Sequence, residues 1–320
     1  MKKITKPALF LFLFLWFLPQ TAFATRLLVP VGELIGIALQ DNSVSIVSFD
    51  PDLGKASQKA GLKTGDRILS IDGQSITCVQ DVKTALRQSD GTVDLTVLRG
   101  KKEKNLCVTP EITTDGPKLG VILKEGMTGV GTVTFYDPES GKYGALGHGV
   151  HASGGSLLAM RAGSAYDAAL VTVKKGKVGT PGQLMGALIP DSPVGTVEKN
   201  TNQGIFGKAD NPWQGQVLPV GASSEIQTGS ATIFSTVAGN GVQEYSVEIM
   251  KIYPSDDTRN MLLKVTDPEL LATTGGIVQG MSGSPIIQSG KIVGAVTHVL
   301  VNDPTTGYGI FIENMLDAAA

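Results

Sequence analysis

The chain has 320 residues, of which 42% are hydrophobic and 18% are charged, and its formal charge is −2. This composition excludes a wholly disordered chain, and the slight acidic excess argues against a nucleic-acid-binding protein. The length is sufficient for two domains of ordinary size. The 40 glycines follow no collagen-like repeat and are typical of the tight turns of a β-rich protein.

Residues 1–24 have the three parts of a secretory signal peptide. Three lysines precede an unbroken apolar run at residues 8–18, and residues 22–24 (Ala-Phe-Ala) form a small-residue cleavage pattern. The run is shorter than the roughly 20 residues that a membrane-spanning helix needs, which favours cleavage over a retained anchor. We therefore expect an exported protein that touches the membrane only through this segment, if the segment is kept.

The cysteine and histidine content predicts no metal site. Cys78 and Cys107 are the two cysteines, and in an exported chain they either pair or remain as two thiols. The three histidines, His148, His151 and His298, do not show the spacing of zinc ligands. No cofactor is predicted.

Residues 35–110 predict a small α+β domain, preceded by a linker at residues 25–34. Residues 60–73 read Ala-Gly-Leu-Lys-Thr-Gly-Asp-Arg-Ile-Leu-Ser-Ile-Asp-Gly, in which the first two glycines permit turns and the final Asp-Gly makes a tight turn. Val79, Val82 and Leu86 have helical spacing, and residues 93–97 alternate as in a half-buried strand. The run at residues 60–73 resembles the signature of a PDZ domain.

The PDZ resemblance implies a peptide-binding groove. In such domains an extended peptide adds as a strand between an edge strand and a helix, and backbone N–H groups hold its carboxylate. We predict the carboxylate cradle at Leu34, Ile35, Gly36 and Ile37, and the opposite wall at Val79, Val82, Lys83 and Leu86. The alternative is that the cradle residues are ordinary core residues of a domain that only docks against its neighbour.

Residues 119–320, after a short polar linker at 111–118, predict a β domain. Short apolar stretches recur between Gly, Pro, Asn and Asp residues, with few helical periods, as in an all-β sandwich or barrel of about 200 residues. A short helix is predicted at residues 313–320. The chain is therefore expected to be mainly β.

A glycine-rich turn near the C-terminus carries the strongest chemical signal. Residues 280–285 read Gly-Met-Ser-Gly-Ser-Pro, and a serine on such a turn becomes a nucleophile when a base and oxyanion donors are adjacent. We predict Ser282 as the nucleophile and the N–H groups of Gly280 and Ser282 as the oxyanion hole. Glycine-rich turns with serines also occur in β proteins that have no catalytic role.

Three histidines are available as the base. His148 precedes Ser282 in the chain order of chymotrypsin-like peptidases, and the small residues around it leave its ring free to move. His151 is more typical of a surface residue, and His298 of a residue that lines the substrate cleft.

The acid of a triad is less clear from the residues alone. Asp267 is the best candidate, but Thr-Asp-Pro-Glu at residues 266–269 is also how a helix begins, with Asp267 as the N-cap. On local sequence the cap is the better interpretation. Asp167 and Asp191 are the other candidates.

The whole chain resembles the stage IV sporulation protein B peptidase family of spore-forming bacteria. The most specific stretches are residues 144–148, 266–271, 276–285 and 301–309. The resemblance implies a PDZ-like domain followed by a chymotrypsin-like double β-barrel, with His148, Asp267 and Ser282 as the catalytic triad.

The resemblance also implies a regulatory role in sporulation. Such a peptidase is exported into the space between the two forespore membranes, cleaves itself near its N-terminus, and cuts a membrane-bound regulator of a sigma-factor-processing protease. The competing interpretations are an exported quality-control peptidase of the HtrA type and a non-catalytic PDZ scaffold. HtrA-type enzymes place the peptidase before the PDZ domain, whereas here the PDZ segment comes first.

Overall fold

The computed structural model describes residues 26–152, 155–239 and 241–320. The predicted signal peptide at residues 1–24 lies outside the described residues. Within the described ranges, no helix has both the length and the apolar character needed to cross a bilayer. Strands predominate, as the sequence predicts.

The chain opens with a short strand, β1 (Leu27–Pro30), and a 16-residue strand, β2 (Leu34–Phe49). The second half of β2 begins a small α+β unit whose remaining elements are α1 (Lys55–Lys59), β3 (Arg67–Ile71), β4 (Gln74–Ser75), α2 (Val79–Gln88), β5 (Val93–Arg99) and β6 (Lys102–Val108). Strands β2, β3, β5 and β6 are antiparallel neighbours. This unit is the PDZ domain that the sequence predicts.

Local sequence explains the turns and the core of the PDZ domain. Gly61 and Gly65 have φ values of 98° and 88°, and Asp72 and Gly73 are also left-handed, which fits the two-residue turn between β3 and β4. The alternating residues of β5 that point inward, Val93, Leu95 and Val97, are fully buried.

The predicted linker at residues 111–118 forms a small hairpin of β7 (Glu111–Thr113) and β8 (Gly116–Lys118). The next strand, β9 (Val121–Tyr136), then runs antiparallel to β2 along nearly its whole length. Each of the two strands contributes to both domains. Residues 34–39 of β2 pair with residues 127–132 of β9 in the barrel, whereas residues 44–49 of β2 pair with residues 121–125 of β9 in the PDZ domain. The PDZ domain is therefore inserted into a hairpin of the following barrel and is not tethered by a linker.

The first barrel is a closed ring of six strands. After β9 come β10 (Lys142–Ala145), β11 (Ala162–Lys174), β12 (Gln183–Thr201), β13 (Gly204–Ala209) and the short β14 (Leu218–Pro219). The ring order is β2, β9, β10, β13, β12, β11 and back to β2. Its core includes Ile37, Leu39, Val133, Tyr143 and Ile205.

The second barrel is also closed and has six strands. A 3₁₀ turn at Ser223–Glu225 leads into β15 (Gly229–Ser235), β16 (Gln243–Ile252), β17 (Met261–Val265), α3 (Pro268–Thr274), β18 (Pro285–Gln288), β19 (Lys291–Leu300), β20 (Asp303–Phe311) and α4 (Ile312–Ala319). The ring order is β15, β16, β17, β20, β19, β18. The predicted double barrel is thus present, and the C-terminal helix begins one residue earlier than predicted.

Candidate active site

Ser282 lies on a tight loop between α3 and β18, and the first barrel holds this loop in place. The N–H of Thr132 on β9 donates to the Ser282 carbonyl (3.0 Å), and the Thr132 hydroxyl donates to the Gly280 carbonyl (2.7 Å). Gly283 has φ 100°, and a Cβ there would lie 2.0 Å from the Thr132 carbonyl oxygen. Glycine is therefore required at position 283 by both conformation and space.

The backbone of the loop leaves two donors free. Within the described residues, the N–H groups of Gly280 and Ser282 donate to no oxygen, whereas those of Met281, Gly283 and Ser284 are all paired. Two unpaired N–H groups on either side of one residue, at the serine itself and two positions before it, have the form of an oxyanion hole. These are the two groups that the sequence predicts for that role.

The two serines of the motif differ in environment. The Ser282 hydroxyl borders a cleft and donates to the carbonyl oxygen of Thr297 on β19 (2.7 Å). The Ser284 hydroxyl is fully buried and bonds the hydroxyl of Ser235 (3.0 Å). Only Ser282 is accessible to a substrate. The hydrogen bond from Ser282 to the Thr297 carbonyl could not be predicted from the sequence, because Thr297 lies outside the Gly-Met-Ser-Gly-Ser-Pro motif.

His148 lies on the turn that follows β10. Leu146 and Gly147 are left-handed, at φ 70° and 66°, which turns the chain and directs His148 into the same cleft as Ser282. Its Nδ1 atom lies 3.0 Å from the carbonyl oxygen of Gly149. Because a carbonyl can only accept, Nδ1 is the protonated nitrogen and Nε2 is left as the basic one.

Burial lowers the pKa of His148 below its usual value near 6.5, although the hydrogen bond to Gly149 acts in the opposite direction. A histidine with this pKa is uncharged at neutral pH and can accept a proton. His151 shares the Gly149 carbonyl through its own Nδ1 atom (3.0 Å), but it is exposed at the edge of the cleft. The sequence-based preference for His148 over His151 agrees with this burial.

His298 on β19 lies against His148, with ring centroids 5.2 Å apart. Burial and the neighbouring His148 lower the pKa of His298 to about 4. Its Nδ1 atom is buried and has no hydrogen-bond partner in the described residues. His298 lines the cleft, as predicted, but it also contacts the ring of the candidate base.

The cleft has a volume of about 590 Å³ and lies between the barrels. Its walls are largely apolar, and the only ionisable side chains among the described residues that line it are His148, His151 and His298. The apolar lining from the second barrel and the loops around it comprises Ile277, Val278, Val299 and Val301, and Leu184 on β12 of the first barrel adds to it.

The structure does not bring Asp267 to His148, which corrects the triad that the family resemblance implies. The Asp267 carboxylate caps α3, accepting from the N–H groups of Glu269 (3.0 Å) and Leu270 (2.9 Å). Leu262 of β17 and His298 of β19 both pair with Tyr308 of β20, so they lie at the same height in the sheet. Asp267 follows Leu262 by five residues along the chain. Five extended residues span about 16 Å.

The other two carboxylates named from the sequence also lie away from the cleft. Asp167 on β11 accepts a hydrogen bond from the Ser192 hydroxyl, and Asp191 is exposed on β12. In the described part of the chain, no carboxylate forms a hydrogen bond or ion pair with a histidine. The helix-cap pattern Thr-Asp-Pro-Glu therefore predicts the observed contacts of Asp267 better than the family resemblance does.

Replacing Asp267 by asparagine is expected to leave both turnover and stability close to wild type. Asparagine caps a helix about as well as aspartate, whereas alanine should lower the free energy of unfolding by about 1 kcal/mol. Thermal melting and hydrolysis of a quenched peptide by the Asn and Ala variants check this. A large loss of turnover in a normally folded Asn variant would restore Asp267 as the acid.

The predicted cradle of the PDZ domain is wrong. Residues 34–37 pair on one side with residues 129–132 of β9, and residues 35–37 pair on the other side with β11, so no peptide can add there. Leu34, Ile35 and Ile37 are buried, and Ile35 and Ile37 belong to the first barrel's core. The prediction failed because the apolar pattern of residues 34–37 is shared by a buried barrel strand and by the carboxylate cradle of a PDZ domain.

The groove of the PDZ domain lies elsewhere. The predicted wall residues Val79, Val82, Lys83 and Leu86 do line a cavity of about 530 Å³, whose other side is formed by residues 119–123. Within the described residues, Val121–Leu123 pairs with β2 alone, so its other edge is free for strand addition. The sequence does contain a pattern that could have located this edge: residues 119–121, Leu-Gly-Val, directly after the predicted linker.

No metal site or disulfide is found in the described residues. No group of three or more potential ligand side chains is arranged to hold a metal ion in residues 26–152, 155–239 and 241–320. Cys78, next to α2, and Cys107, on β6, are free thiols.

The double barrel, the serine loop and the inserted domain define a serine endopeptidase that carries a PDZ domain. A family model described as SpoIVB peptidase S55 matches residues 116–316, and a PDZ domain model matches residues 34–109. The chain belongs to the SpoIVB peptidase S55 family.

The curated relatives that match share only segments with this chain. Serine protease HTRA1 of Xenopus tropicalis is 39% identical over 66 residues, which are 21% of this chain and 14% of that protein. A putative zinc metalloprotease of Rhizobium meliloti (strain 1021), R01501, is 32% identical over 101 residues, 31% of this chain and 26% of that one. The chain thus spans about a quarter or less of the length of these relatives.

Two solved structures are also similar in part. The PDZ domain of the SdrC-like protein from Listeria monocytogenes is 24% identical and covers 26% of this chain and 87% of its own, with a TM-score of 0.22. The active form of the Rv3671c protease from M. tuberculosis is 15% identical and covers 61% of this chain and 75% of its own, with a TM-score of 0.38.

Proposed function

We propose that Ser282 is the nucleophile and His148 the base of an exported regulatory endopeptidase. One observation supports this above all: Ser282, His148 and the unpaired N–H groups of Gly280 and Ser282 border a single cleft. The Ser282 hydroxyl would transfer its proton to Nε2 of His148 as it attacks the peptide carbonyl, and the two N–H groups would stabilise the resulting oxyanion.

The cleft suits an extended, apolar segment of a protein substrate. Among the residues that the structure describes, its lining carries no Asp, Glu, Lys or Arg side chain, so a charged substrate residue next to the scissile bond would be buried without a partner. The Thr297 carbonyl on β19 accepts from the Ser282 hydroxyl, and just beyond it residues 298–299 pair with β20 alone among the described strands, so their other edge can pair with such a segment. The PDZ groove offers a second site for a peptide or a C-terminus.

The biological role that we propose is the one that the family resemblance implies. The enzyme is exported by its signal segment to the space between the forespore membranes, cleaves itself, and cuts a membrane-associated regulator of a sigma-factor-processing protease. Family membership and the signal-like sequence at residues 1–24 support this role.

A fluorophosphonate probe tests the chemistry directly. Purified protein should be labelled at Ser282, as located by mass spectrometry, and the Ser284→Ala variant should be labelled equally well because the Ser284 hydroxyl is buried. In a spore-forming host, the Ser282→Ala protein should leave the membrane-bound regulator uncut. Labelling at Ser284, or processing of the regulator by the Ser282→Ala protein, would contradict the proposal.

A further inference from the structure

The turn that carries the first oxyanion donor has two possible forms. The N–H of Met281 donates to the carbonyl oxygen of Val278 (3.1 Å), which closes a four-residue turn over residues 278–281. Gly280, the third residue of this turn, has φ 100°. A positive φ at the third position is that of a type II turn, whereas a type I turn has a negative φ there. The two types differ by a flip of the central peptide, which here joins Gln279 to Gly280.

The orientation of this central peptide decides whether the oxyanion hole has one donor or two. Because a peptide bond is planar and trans, the Gln279 carbonyl and the Gly280 N–H point in opposite directions. In the observed type II form the N–H is an unpaired donor on the loop of Ser282, within the described residues. In the type I form the carbonyl oxygen would take its place, and the partial negative charge of that oxygen would repel an oxyanion.

Strand β12 of the first barrel holds the carbonyl of this peptide. The N–H of Leu184 donates to the Gln279 carbonyl (2.8 Å), and the N–H of Gln279 donates to the Gly182 carbonyl (3.0 Å). These two hydrogen bonds form a parallel bridge between Gln183 and Gln279. A flip of the peptide would break the first of them and leave the Leu184 N–H without its acceptor, which is costly for a buried group. The bridge therefore favours the type II form.

The start of β12 is packed tightly against the turn. Leu184 is fully buried, and a Cβ added at Gly280 would lie 2.9 Å from the Cβ of Leu184. A Cβ added at Gly182 would lie 2.4 Å from the nitrogen of Gly176 and 2.6 Å from a methyl carbon of Val278. Glycine at position 182 thus permits the close approach of the two backbones on which the bridge depends.

The segment that leads into β12 is itself attached to the second barrel. Residues 175–182 connect β11 to β12. In this segment the N–H of Gly176 donates to the carbonyl of Thr274 at the end of α3 (2.8 Å), and the N–H of Gly179 donates to the carbonyl of Val301 (2.9 Å). These bonds hold the connecting segment at a fixed position beside the serine loop, so the bridge at Leu184 starts from an anchored chain.

The second oxyanion donor is held by different elements. The N–H of Thr132 on β9 donates to the Ser282 carbonyl (3.0 Å), and the N–H of Gly283 donates to the carbonyl of Val296 on β19 (2.7 Å). Neither bond involves β12. Loss of the bond from Leu184 should therefore release one donor of the oxyanion hole and leave the nucleophile and its own N–H in place.

We infer that Leu184 is a positioning residue whose backbone N–H holds the Gln279–Gly280 peptide in the orientation that completes the oxyanion hole. This inference rests on the proposed function. When the Ser282 oxygen bonds to the scissile carbonyl carbon, the π electrons of that carbonyl move to its oxygen, which accepts from the N–H groups of Gly280 and Ser282. The serine proton passes to the base and then to the amine, which departs as the C–N bond breaks. Leu184 acts on this oxygen only through the peptide that it holds.

A backbone ester tests this role without changing a side chain. Leucic acid, the α-hydroxy acid that corresponds to leucine, is incorporated at position 184, where it replaces the N–H by an oxygen and keeps the buried side chain. On a quenched peptide this ester should lower kcat about 100-fold with KM nearly unchanged, as loss of one oxyanion donor does. The matched control is the same ester at Leu188, which lies on the same strand and pairs with Ala168 of β11. It should keep the wild-type kcat.

Inhibitor binding separates the oxyanion hole from the rest of the site. A peptide aldehyde forms a tetrahedral adduct with Ser282 whose oxygen occupies the hole, whereas the corresponding peptide alcohol forms no adduct. The ester at position 184 should weaken binding of the aldehyde by about the same factor as kcat/KM and leave binding of the alcohol unchanged. The acid limb of kcat/KM should keep its midpoint, because His148 is not displaced.

Gly182→Ala is a second variant that needs no chemical synthesis. Its Cβ would displace the chain whose carbonyl accepts from Gln279, so kcat and aldehyde affinity should fall together, by about 10-fold or more. Gly239→Ala is its control, because Gly239 is exposed and an added Cβ there has no atom within 4 Å among the described residues. Melting temperatures establish which proteins are folded, and Gly182→Ala decides the question if the ester at position 184 does not fold.

Three outcomes would overturn the inference. They are wild-type kcat and aldehyde affinity in the folded variant, equal losses from the esters at positions 184 and 188, and a raised KM with normal kcat, which would make β12 a substrate-binding element. Each leaves the proposed function intact if wild type hydrolyses the peptide and Ser282→Ala does not. If wild-type protein shows neither hydrolysis nor fluorophosphonate labelling, the proposed function is wrong and the inference fails with it.

Discussion

Replacement of Ser282 by alanine is expected to lower kcat for peptide hydrolysis by about 10⁶-fold, on the scale that loss of a nucleophile causes in other serine peptidases. The substitution removes one hydroxyl, whose hydrogen bond in the structure is to the Thr297 carbonyl. Loss of that bond should change the free energy of unfolding by about 1 kcal/mol or less. Initial rates on a quenched peptide and a urea melt measure the two effects.

Ser284→Ala is the matched control for this change, because it removes a hydroxyl two residues away on the same loop. Its hydroxyl is buried against that of Ser235, so the expected cost is about 1 kcal/mol of stability with turnover close to wild type. If Ser284→Ala abolished hydrolysis in a folded protein while Ser282→Ala retained it, the nucleophile would have to be reassigned.

The serine loop could be predicted from the sequence because its chemistry is local. Gly280 and Gly283 both adopt φ near 100°, where glycine is favoured, and the unpaired N–H groups belong to the motif itself. The helix Val79–Gln88 and the buried alternation of residues 93–97 were predictable for the same reason. In each case a short run of residues determines the local structure.

The edge strand of the PDZ groove could not be assigned in this way. Residues 34–37 and residues 119–121 carry similar Leu, Gly and branched apolar patterns, and the difference between them is which edges other strands occupy. That depends on β11, which is more than 100 residues distant from β2 in the chain. Pairing partners at such separations are not contained in a local pattern.

The insertion of the PDZ domain places the PDZ sheet and the cleft on the same two strands, of which β9 also borders the groove. Residues 121–123 of β9 border the groove, and residues 127–130 of the same strand line the cleft. Opposite them, β2 contributes Ile37 and Leu39 to the cleft and residues 44–49 to the PDZ sheet. The two sites are joined by continuous β structure, which a flexible linker between separate domains would not provide.

His148→Ala is expected to reduce kcat nearly as much as loss of the nucleophile, because nucleophile and base act as a unit. For the same reason the double variant with Ser282→Ala should be little slower than either single variant. His151→Ala is the matched control, since it removes the exposed imidazole that shares the Gly149 carbonyl, and it should retain most activity.

The pH dependence of the wild-type enzyme provides an independent check on His148. The base must be uncharged to accept the serine proton, and burial lowers the pKa of His148 below 6.5. The rate should therefore stay high as the pH falls through 6.5 and decline only below the lowered pKa of this histidine. A profile of kcat/KM between pH 4 and 8 measures the midpoint, and a midpoint above 6.5, or near-normal turnover by His148→Ala, would show that another group is the base.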